Sequence, residues 1–341
     1  MRAAVVHALG RPPEPGEHPD PPDPPPPGSA LVRVTAAPLT PLDLLCASGT
    51  SYFGRPATPY VPGVQGVGRV VTSAGLPAGT RVWFPTSAGM APGDGSLATH
   101  CAVPDVDLVP LDGEEPDGPG GAGPPGGELP DVLVAALGLS AVAAWCCLAD
   151  RGRLRAGERV LVLGAGGVVG QVAVQLARLL GAGRVVGAAR SERAAEHARA
   201  AGADDVVRLT GEDDVPGLAA RFAQALDGAA DVVVDPLCGL PASAALEVLA
   251  PRGRLVNLGG SAGATATFSS ATLRSRSAEI LGHTNNDLSR QARAHALDEV
   301  LRHARAGRLT VRHEVAPLAD VAGAWERQRA GTADGRVVLL L

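Results

Sequence analysis

The strongest restriction on the fold comes from a buried strand that leads through a glycine-rich turn into a helix. Residues 160–163 are Val-Leu-Val-Leu and residues 164–167 are Gly-Ala-Gly-Gly. Small residues at 165, 167 and 170 permit a sharp turn, close approach of a diphosphate and packing of the helix on the strand. The amides that open such a helix attract phosphate groups. The pattern predicts a dinucleotide-binding turn, and the alternative is a tight turn without a ligand. The predicted binding residues are Ala165, Gly166, Gly167, Val168 and Val169.

Strands and helices alternate along the chain around this turn. The predicted strands are Arg159–Leu163, Arg184–Ala189, Asp205–Leu209, Asp231–Asp235, Arg254–Leu258 and Glu279–Gly282, and the predicted helices are Val132–Ala149, Val168–Leu180, Glu192–Ala201, Val215–Leu226 and Ala242–Leu249. The strands contain continuous Val and Leu runs, which are typical of strands buried on both faces of a parallel sheet. Residues 131–285 are therefore predicted to form a doubly wound Rossmann domain.

The two ends of the chain have a different, β-rich pattern. The predicted strands of the first part are Ala3–His7, Ala30–Ala37, Val61–Thr72, Thr80–Phe84 and Leu97–Val103. Residues 113–130 alternate Gly, Pro and acidic residues and are expected to form a mobile loop. After a helix at Ser289–Ala306, two short strands at Thr310–Val315 and Arg336–Leu341 are too few to be stable alone. We expect residues 286–341 to complete the β-rich domain of residues 1–130, with the Rossmann domain as an insertion of this α/β fold.

The residues after the second Rossmann strand decide which dinucleotide would bind. An NAD site places an acid at the end of that strand to bond the ribose 2′-hydroxyl. This chain has Arg190 there, followed by Ser191, and no acid before Glu192. A guanidinium can hold a 2′-phosphate through two parallel hydrogen bonds. The sequence therefore favours NADPH (NADP+) bound by Arg190 and Ser191, and the alternative is NAD bound through Glu192.

Composition excludes several classes of protein. The chain contains no lysine, so all 30 basic residues are arginine, and enzymes that need a lysine amine or a P-loop lysine are excluded. A net charge of −5 predicts neither a nucleic-acid partner nor a membrane surface. Five scattered cysteines without a C-x-x-C pair argue against a disulfide framework and a structural zinc site. We expect a cytoplasmic protein.

The chain resembles the medium-chain dehydrogenase/reductase superfamily, in particular its zinc-independent quinone oxidoreductase (zeta-crystallin-like) and enoyl reductase branch. The residues that carry the resemblance are Val32-Arg33-Val34, Pro41-Leu42-Asp43, Pro59 to Gly63, Gly95-Ser96-Leu97, the nucleotide turn, Gly253 to Val256 and Gly335 to Leu340. The resemblance implies a GroES-like catalytic domain with an inserted Rossmann domain. It also implies that nicotinamide and substrate bind between the two domains and that a homodimer forms through the last Rossmann strand.

Two departures from the superfamily bear on metal binding. Zinc alcohol dehydrogenases of this fold have a cysteine at the position of Thr40 and a Gly-His-Glu run at the positions of Gly63, Val64 and Gln65. This chain lacks both ligand types there, so we expect no metal site. Without a Lewis acid, oxidation of an alcohol is disfavoured.

The resemblance implies hydride transfer from NADPH to a quinone or to the activated double bond of an enone, with a secondary-metabolite intermediate as the more specialised form of the enone. Tyr52, Thr40 and Asn285 are the predicted catalytic residues, as donors or stacking partners for the substrate. Ligands bind at the carboxyl ends of strands in such sheets, so the predicted cofactor contacts there are Leu258, Gly259, Gly260, His283, Thr284 and Asn285. A nucleotide-binding scaffold without turnover and a carbonyl reductase of the same fold remain as alternatives.

Overall fold

A computed structural model of the chain describes residues 1–111 and 128–341. Most of the predicted mobile loop of residues 113–130 thus lies outside the described residues. The chain forms two compact units. We call residues 1–139 with 311–341 the terminal unit, and residues 140–310 the central unit. The central unit is an insertion between the two parts of the terminal unit, as predicted.

The terminal unit is built on a seven-stranded sheet and a two-stranded ribbon. Its strands are β1 (Arg2–Val5), β2 (Glu14–Glu17), β3 (Ser29–Pro38), β4 (Gln65–Thr72), β5 (Arg81–Pro85), β6 (His100–Pro104), β7 (Val109–Pro110), β14 (His313–Pro317) and β15 (Arg336–Leu340). Its helices are α1 (Pro41–Ser48) and α9 (Val321–Ala330). The last strand, β15, pairs antiparallel with β3, so the two ends of the chain share one sheet. Apolar residues of both ends form its core, mostly small and branched ones together with Tyr60, Phe84 and Trp325.

The central unit is built on a six-stranded parallel sheet. Its strands are β8 (Arg159–Leu163), β9 (Arg184–Ala189), β10 (Asp205–Arg208), β11 (Ala230–Asp235), β12 (Leu249–Asn257) and β13 (Glu279–Gly282). Their order across the sheet is β10-β9-β8-β11-β12-β13. Its helices are α3 (Val168–Leu179), α4 (Glu192–Ala200), α5 (Val215–Leu226), α6 (Gly239–Glu247), α7 (Ser270–Arg276) and α8 (Arg290–Arg305). The strand order reverses next to β8, where doubly wound sheets bind their ligands.

Helix α2 (Asp131–Trp145) differs from the uninterrupted helix that the sequence predicts. The backbone leaves the helical region at Gly138 (φ 30°, ψ −132°), and a π-helical turn at Cys146–Arg151 follows Trp145. The Gln65 side chain causes the break, because its Oε1 accepts hydrogen bonds from the Leu139 amide at 2.7 Å and from Trp83 Nε1 at 3.0 Å. A long-range side-chain contact therefore replaces a helical hydrogen bond.

The boundaries of the units differ from the predicted 130/131 and 285/286 because of such contacts. Residues 131–139 belong to the terminal unit because they bond its other residues; the Asp131 carboxylate, for example, accepts a hydrogen bond from Arg81 Nε at 2.6 Å. Helix α8 buries its apolar residues in the central unit. There the Gln175 side chain bonds both backbone groups of Thr310, at 2.7 and 3.0 Å.

The segment from Asp131 to Arg151 is long and apolar enough to cross a membrane by length and composition. Its most apolar window is 72% buried within the protein. A helix covered by protein in this way is a core helix, because a membrane-spanning helix would present its apolar side chains to lipid.

Candidate nucleotide-binding site

The predicted nucleotide turn joins β8 to α3. Gly164 starts the turn in the left-handed region (φ 63°), and the Ala165 amide donates to the carbonyl of Ala188 in β9 at 2.9 Å. Gly167 is the residue before α3, and no side chain of the described residues caps the helix there. The first amides of a helix have no acceptor within the helix. The positive end of α3 is thus available to an anion.

The glycines of the turn differ in whether the protein leaves space for a side chain at their positions. A Cβ on Gly166 would collide with the backbone of Ala194 in α4, and a Cβ on Gly170 would collide with the backbone of Gly164 and Ala165. By contrast, Gly167 is exposed with φ −76°, and its Cβ would meet only the Gly164 carbonyl at 3.4 Å. The protein itself leaves space for a side chain at 167, and a diphosphate lying on this turn would fill it.

The end of β9 carries an exposed arginine and a glutamate whose carboxylate is already hydrogen-bonded to other residues. No described residue pairs with the Arg190 guanidinium. Glu192 accepts hydrogen bonds from Arg199 at 2.8 Å and Arg208 at 2.6 Å, and these partners hold the pKa of its carboxyl below the usual value. The Ser191 hydroxyl accepts from the Ala194 amide and caps α4. Arg190 is therefore the group free to bind a further anion at this strand end.

A buried carboxylate that the sequence did not single out organises the ends of β11 and β12. Asp235 is fully buried; its Oδ1 accepts from the amides of Leu237 and Cys238 at 2.9 and 2.8 Å, and its Oδ2 accepts from Asn257 Nδ2 at 2.8 Å. Burial raises the pKa of Asp235, and these hydrogen bonds partly offset the rise. Asn257 Nδ2 also donates to the Gly259 carbonyl at 2.9 Å. An acid that ends a run of buried valines was the available signal.

The predicted polar residues after β13 hold one another in a compact turn. The His283 amide donates to the Asn257 carbonyl at 2.8 Å, and His283 Nε2 lies 3.0 Å from Asn285 Oδ1. An amide oxygen only accepts, so Nε2 carries the hydrogen. Burial lowers the pKa of His283, which favours the neutral ring with Nδ1 as an acceptor. The Thr284 hydroxyl accepts from the Asn286 amide at 3.3 Å.

Cys238 adopts a backbone conformation that normally requires glycine. Its φ is 55° and its ψ is −154°, and a non-glycine residue in such a region costs about 1–3 kcal/mol. The two hydrogen bonds that Asp235 accepts from this segment hold the strained residue in place.

Replacing Cys238 by glycine should therefore stabilise the protein. We expect the free energy of unfolding to rise by about 1 kcal/mol, because relief of strain exceeds the extra backbone entropy of an unfolded glycine. Equilibrium unfolding in urea measures the change. The Cys238→Ala variant removes the thiol but keeps the strain, so a gain of equal size in both variants would contradict this explanation.

The remaining predicted site residues lie in the terminal unit. Thr40 precedes α1 in a capping box: its hydroxyl donates to Asp43 Oδ2 at 2.7 Å and accepts from the Asp43 amide at 3.3 Å. Asp43 is buried and also accepts from the amides of Gly63 and Val64. Thr40 is thus committed as a donor within the fold. Tyr52 is 77% exposed and lies against the Phe53 ring.

The terminal unit does not offer zinc ligands at the positions where the resemblance would place them. Thr40 and Val64 supply neither a thiolate nor an imidazole, and Gln65 uses its carbonyl oxygen for Trp83 and Leu139. Within residues 1–111 and 128–341, no group of three or more His, Cys, Asp or Glu side chains could hold a metal ion.

The fold and the turn define a GroES-like unit combined with a Rossmann unit of the nucleotide-binding type. Residues 26–113 match the model of the alcohol dehydrogenase GroES-like domain, and residues 168–302 match that of the zinc-binding dehydrogenases. The chain belongs to the medium-chain dehydrogenase/reductase superfamily.

Three similar proteins represent the known relatives. A phenolphthiocerol/phthiocerol polyketide synthase subunit of Mycobacterium tuberculosis is 31% identical over 90% of this chain, which spans 13% of that protein. Prostaglandin reductase-3 of Bos taurus is 30% identical over 68% of this chain, which spans 55% of that protein. The solved quinone oxidoreductase of Thermus thermophilus, also described in complex with NADPH, is 28% identical, with a TM-score of 0.77 over the full length of both chains.

Proposed function

We propose that this chain is an NADPH-dependent, zinc-independent oxidoreductase that reduces a quinone or the activated double bond of an α,β-unsaturated carbonyl compound. The similarity to a quinone oxidoreductase and to a prostaglandin reductase supports the reaction class. The similarity to a polyketide synthase subunit supports a secondary-metabolite intermediate as the acceptor. Residue types at 40 and 64 that do not bind zinc support a reaction without a metal.

The observation that carries the choice of NADPH is the contrast between Arg190 and Glu192. Binding of NAD by an acid at this strand end needs a carboxylate that is free to accept from the ribose hydroxyl groups. Glu192 instead accepts from two arginines, whereas the neighbouring Arg190 guanidinium is free of described partners. The charge at this strand end therefore favours a 2′-phosphate over a 2′-hydroxyl.

Each part of the proposed cofactor site has a binding role. The amides that open α3 and the open face of Gly167 hold the diphosphate. Arg190, with the Ser191 backbone, binds the 2′-phosphate. Residues 258–260 and 283–285 orient the nicotinamide end at the carboxyl ends of β12 and β13. When bound, the cofactor supplies the hydride.

The acceptor needs a hydrogen-bond donor for the oxygen on which negative charge develops. Tyr52 is our proposed donor because its side chain is exposed. Thr40 is proposed to contact the substrate only as an acceptor, since its hydrogen is committed to Asp43. Asn285 is the third proposed contact, with its amide fixed by His283.

We also propose a cytoplasmic homodimer. Strand β13 is at the edge of its sheet with Ile280 44% exposed, and an unpaired edge is a template for pairing with a second copy. The five cysteines are free thiols, as is usual in a reducing compartment. Light scattering of the purified protein would measure the mass of the assembly.

The function is tested by calorimetric titration with NADPH and NADH, followed by stopped-flow oxidation of bound NADPH by a panel of quinones and enones. We expect tighter binding of NADPH and oxidation by at least one acceptor. Tight binding without oxidation by any acceptor would instead identify a nucleotide-binding scaffold. Binding of neither nucleotide would refute the proposal.

Replacing Gly167 by alanine should weaken cofactor binding without unfolding the protein. Within residues 1–111 and 128–341, the new methyl group meets no atom beyond its chain neighbours closer than 3.4 Å, but it occupies the space proposed for the diphosphate. We expect NADPH affinity to fall at least tenfold, about 1.4 kcal/mol. The control is Gly211→Ala, where a Cβ meets nothing within 4 Å. Wild-type NADPH affinity in Gly167→Ala would remove this turn from the site.

A further inference from the structure

Asp235 lies where three loops of the central unit meet. Beyond the three hydrogen bonds to its carboxylate, its backbone carbonyl accepts from the Leu258 amide at 2.9 Å. The next residues extend the contact: the Pro236 carbonyl accepts from the Ser261 hydroxyl at 3.2 Å, and the Leu237 carbonyl accepts from the Ala262 amide at 2.8 Å. The loops after β11 and β12 are therefore held as one body.

The loop after β11 also lies close to the nucleotide turn, and Asn257 links it to the end of β13. A Cβ on Gly164 would lie 3.1 Å from the Leu237 side chain, and a Cβ on Gly259 would lie 2.7 Å from the Pro236 carbonyl. On the other side, Asn257 bonds the Asp235 carboxylate through its side chain and the His283 amide through its carbonyl. A shift of the Asp235 carboxylate would thus be transmitted to Gly164, Gly259 and His283.

We propose that Asp235 is a positioning residue for the nicotinamide half of the cofactor, acting through Asn257 on the Gly259 carbonyl and through the Leu237–Cys238 amides on the nucleotide turn. This inference rests on the proposed function, which places the nicotinamide end against residues 258–260 and 283–285. Among the described residues, no hydrogen bond of Asp235 or Asn257 reaches the Arg190 region, where the adenosine 2′-phosphate would bind. The two halves of the cofactor should therefore respond differently when the network is broken.

The isosteric Asp235→Asn variant breaks the network with little change in volume. Its amide can still accept from Leu237 and Cys238, but its NH2 group then faces the NH2 group of Asn257. If Asn257 turns its amide to relieve this conflict, it withdraws the donor from the Gly259 carbonyl. In either arrangement at least one hydrogen bond of the network is lost, and the turned amide would also give up its 3.3 Å hydrogen bond to the backbone carbonyl of residue 235.

The test measures both binding and turnover in Asp235→Asn. We expect the dissociation constant for NADP+ to rise about tenfold and kcat to fall about 10- to 100-fold, because small misplacement of reacting groups is costly. Binding of adenosine 2′,5′-bisphosphate, which lacks the nicotinamide half, should not change. The control is Asp231→Asn, at the opposite end of the same strand, where the carboxylate accepts from the Arg159 amide at 2.8 Å; it should leave all three values unchanged.

The possible outcomes separate this inference from the proposed function. If Asp235→Asn loses affinity for NADP+ and for adenosine 2′,5′-bisphosphate equally, the role of Asp235 is merely structural. If NADP+ binding and kcat are both unaltered, Asp235 has no role in the site. Either result overturns this inference but leaves the proposed function standing. A wild-type protein that binds neither compound overturns the proposed function, and this inference with it. If Asp235→Asn does not fold, Asn257→Ser removes the same donor from Gly259 and should give the same selective loss.

Discussion

Arg254→Met is expected to lower the free energy of unfolding by about 3–5 kcal/mol. Arg254 is 7% exposed, and all five of its N–H groups have acceptors: the carbonyls of Gly152, Arg153 and Asp231, and both oxygens of Glu158. Burial raises the pKa of Glu158, but the hydrogen bonds and charge of Arg254, together with the hydrogen bond from the Arg155 amide, exceed this effect and hold the pKa below its ordinary value. Methionine would leave the half-buried carboxylate without its cation.

Equilibrium unfolding in urea measures this effect against a matched exposed pair. Arg153→Met removes the arginine partner of Glu279, where the side chains are 54% and 42% exposed, and should cost less than about 1 kcal/mol. Glu158→Gln in the Arg254→Met background should restore part of the loss, because no buried charge then lacks a partner. If Arg254→Met lowers the free energy of unfolding no more than Arg153→Met does, the stabilising role assigned to Arg254 is wrong.

The ion pair also gives the stability a pH dependence of defined sign. A carboxyl whose pKa is lower in the folded protein stabilises the fold above its unfolded pKa, and this contribution is lost as the pH falls through the folded value. Part of the acid sensitivity of the wild type should therefore disappear in Arg254→Met below the ordinary Glu158 pKa of 4.5.

Arg190→Ala is expected to weaken NADPH binding by about 1–3 kcal/mol, which is about 5- to 150-fold, and to leave NADH binding unchanged. The reason is that only the 2′-phosphate would use the guanidinium, through charge-assisted hydrogen bonds. Calorimetric titration of both nucleotides at fixed ionic strength measures the two affinities.

The control for the lost positive charge is Arg302→Ala. This arginine of α8 has a side chain that is 53% exposed and pairs with Glu299, and its removal changes the net charge by the same amount. We expect wild-type affinity for both nucleotides in this variant. Equal losses of NADPH and NADH in Arg190→Ala would exclude a contact between Arg190 and the 2′-phosphate and would reopen the choice of NAD through Glu192.

The amino-acid sequence alone determined the features that depend on neighbouring residues. The buried runs at 160–163 and 232–234, the glycine turn and the alternation of strands and helices predicted the parallel sheet and the place of the nucleotide turn, and the sheet order confirms the doubly wound fold. These patterns are readable because strand burial, turn geometry and helix capping act over a few residues.

Only the tertiary structure decided which polar groups are already hydrogen-bonded within the protein and which can bind a ligand. It commits the Thr40 hydrogen to Asp43, engages Glu192 with two arginines and leaves Arg190 exposed. It also reveals the hydrogen bonds of Asp235 and the break at Gly138, because their partners lie far along the chain. A residue type shows what a side chain can bond, whereas the partner it bonds is fixed by long-range packing, which no local pattern encodes.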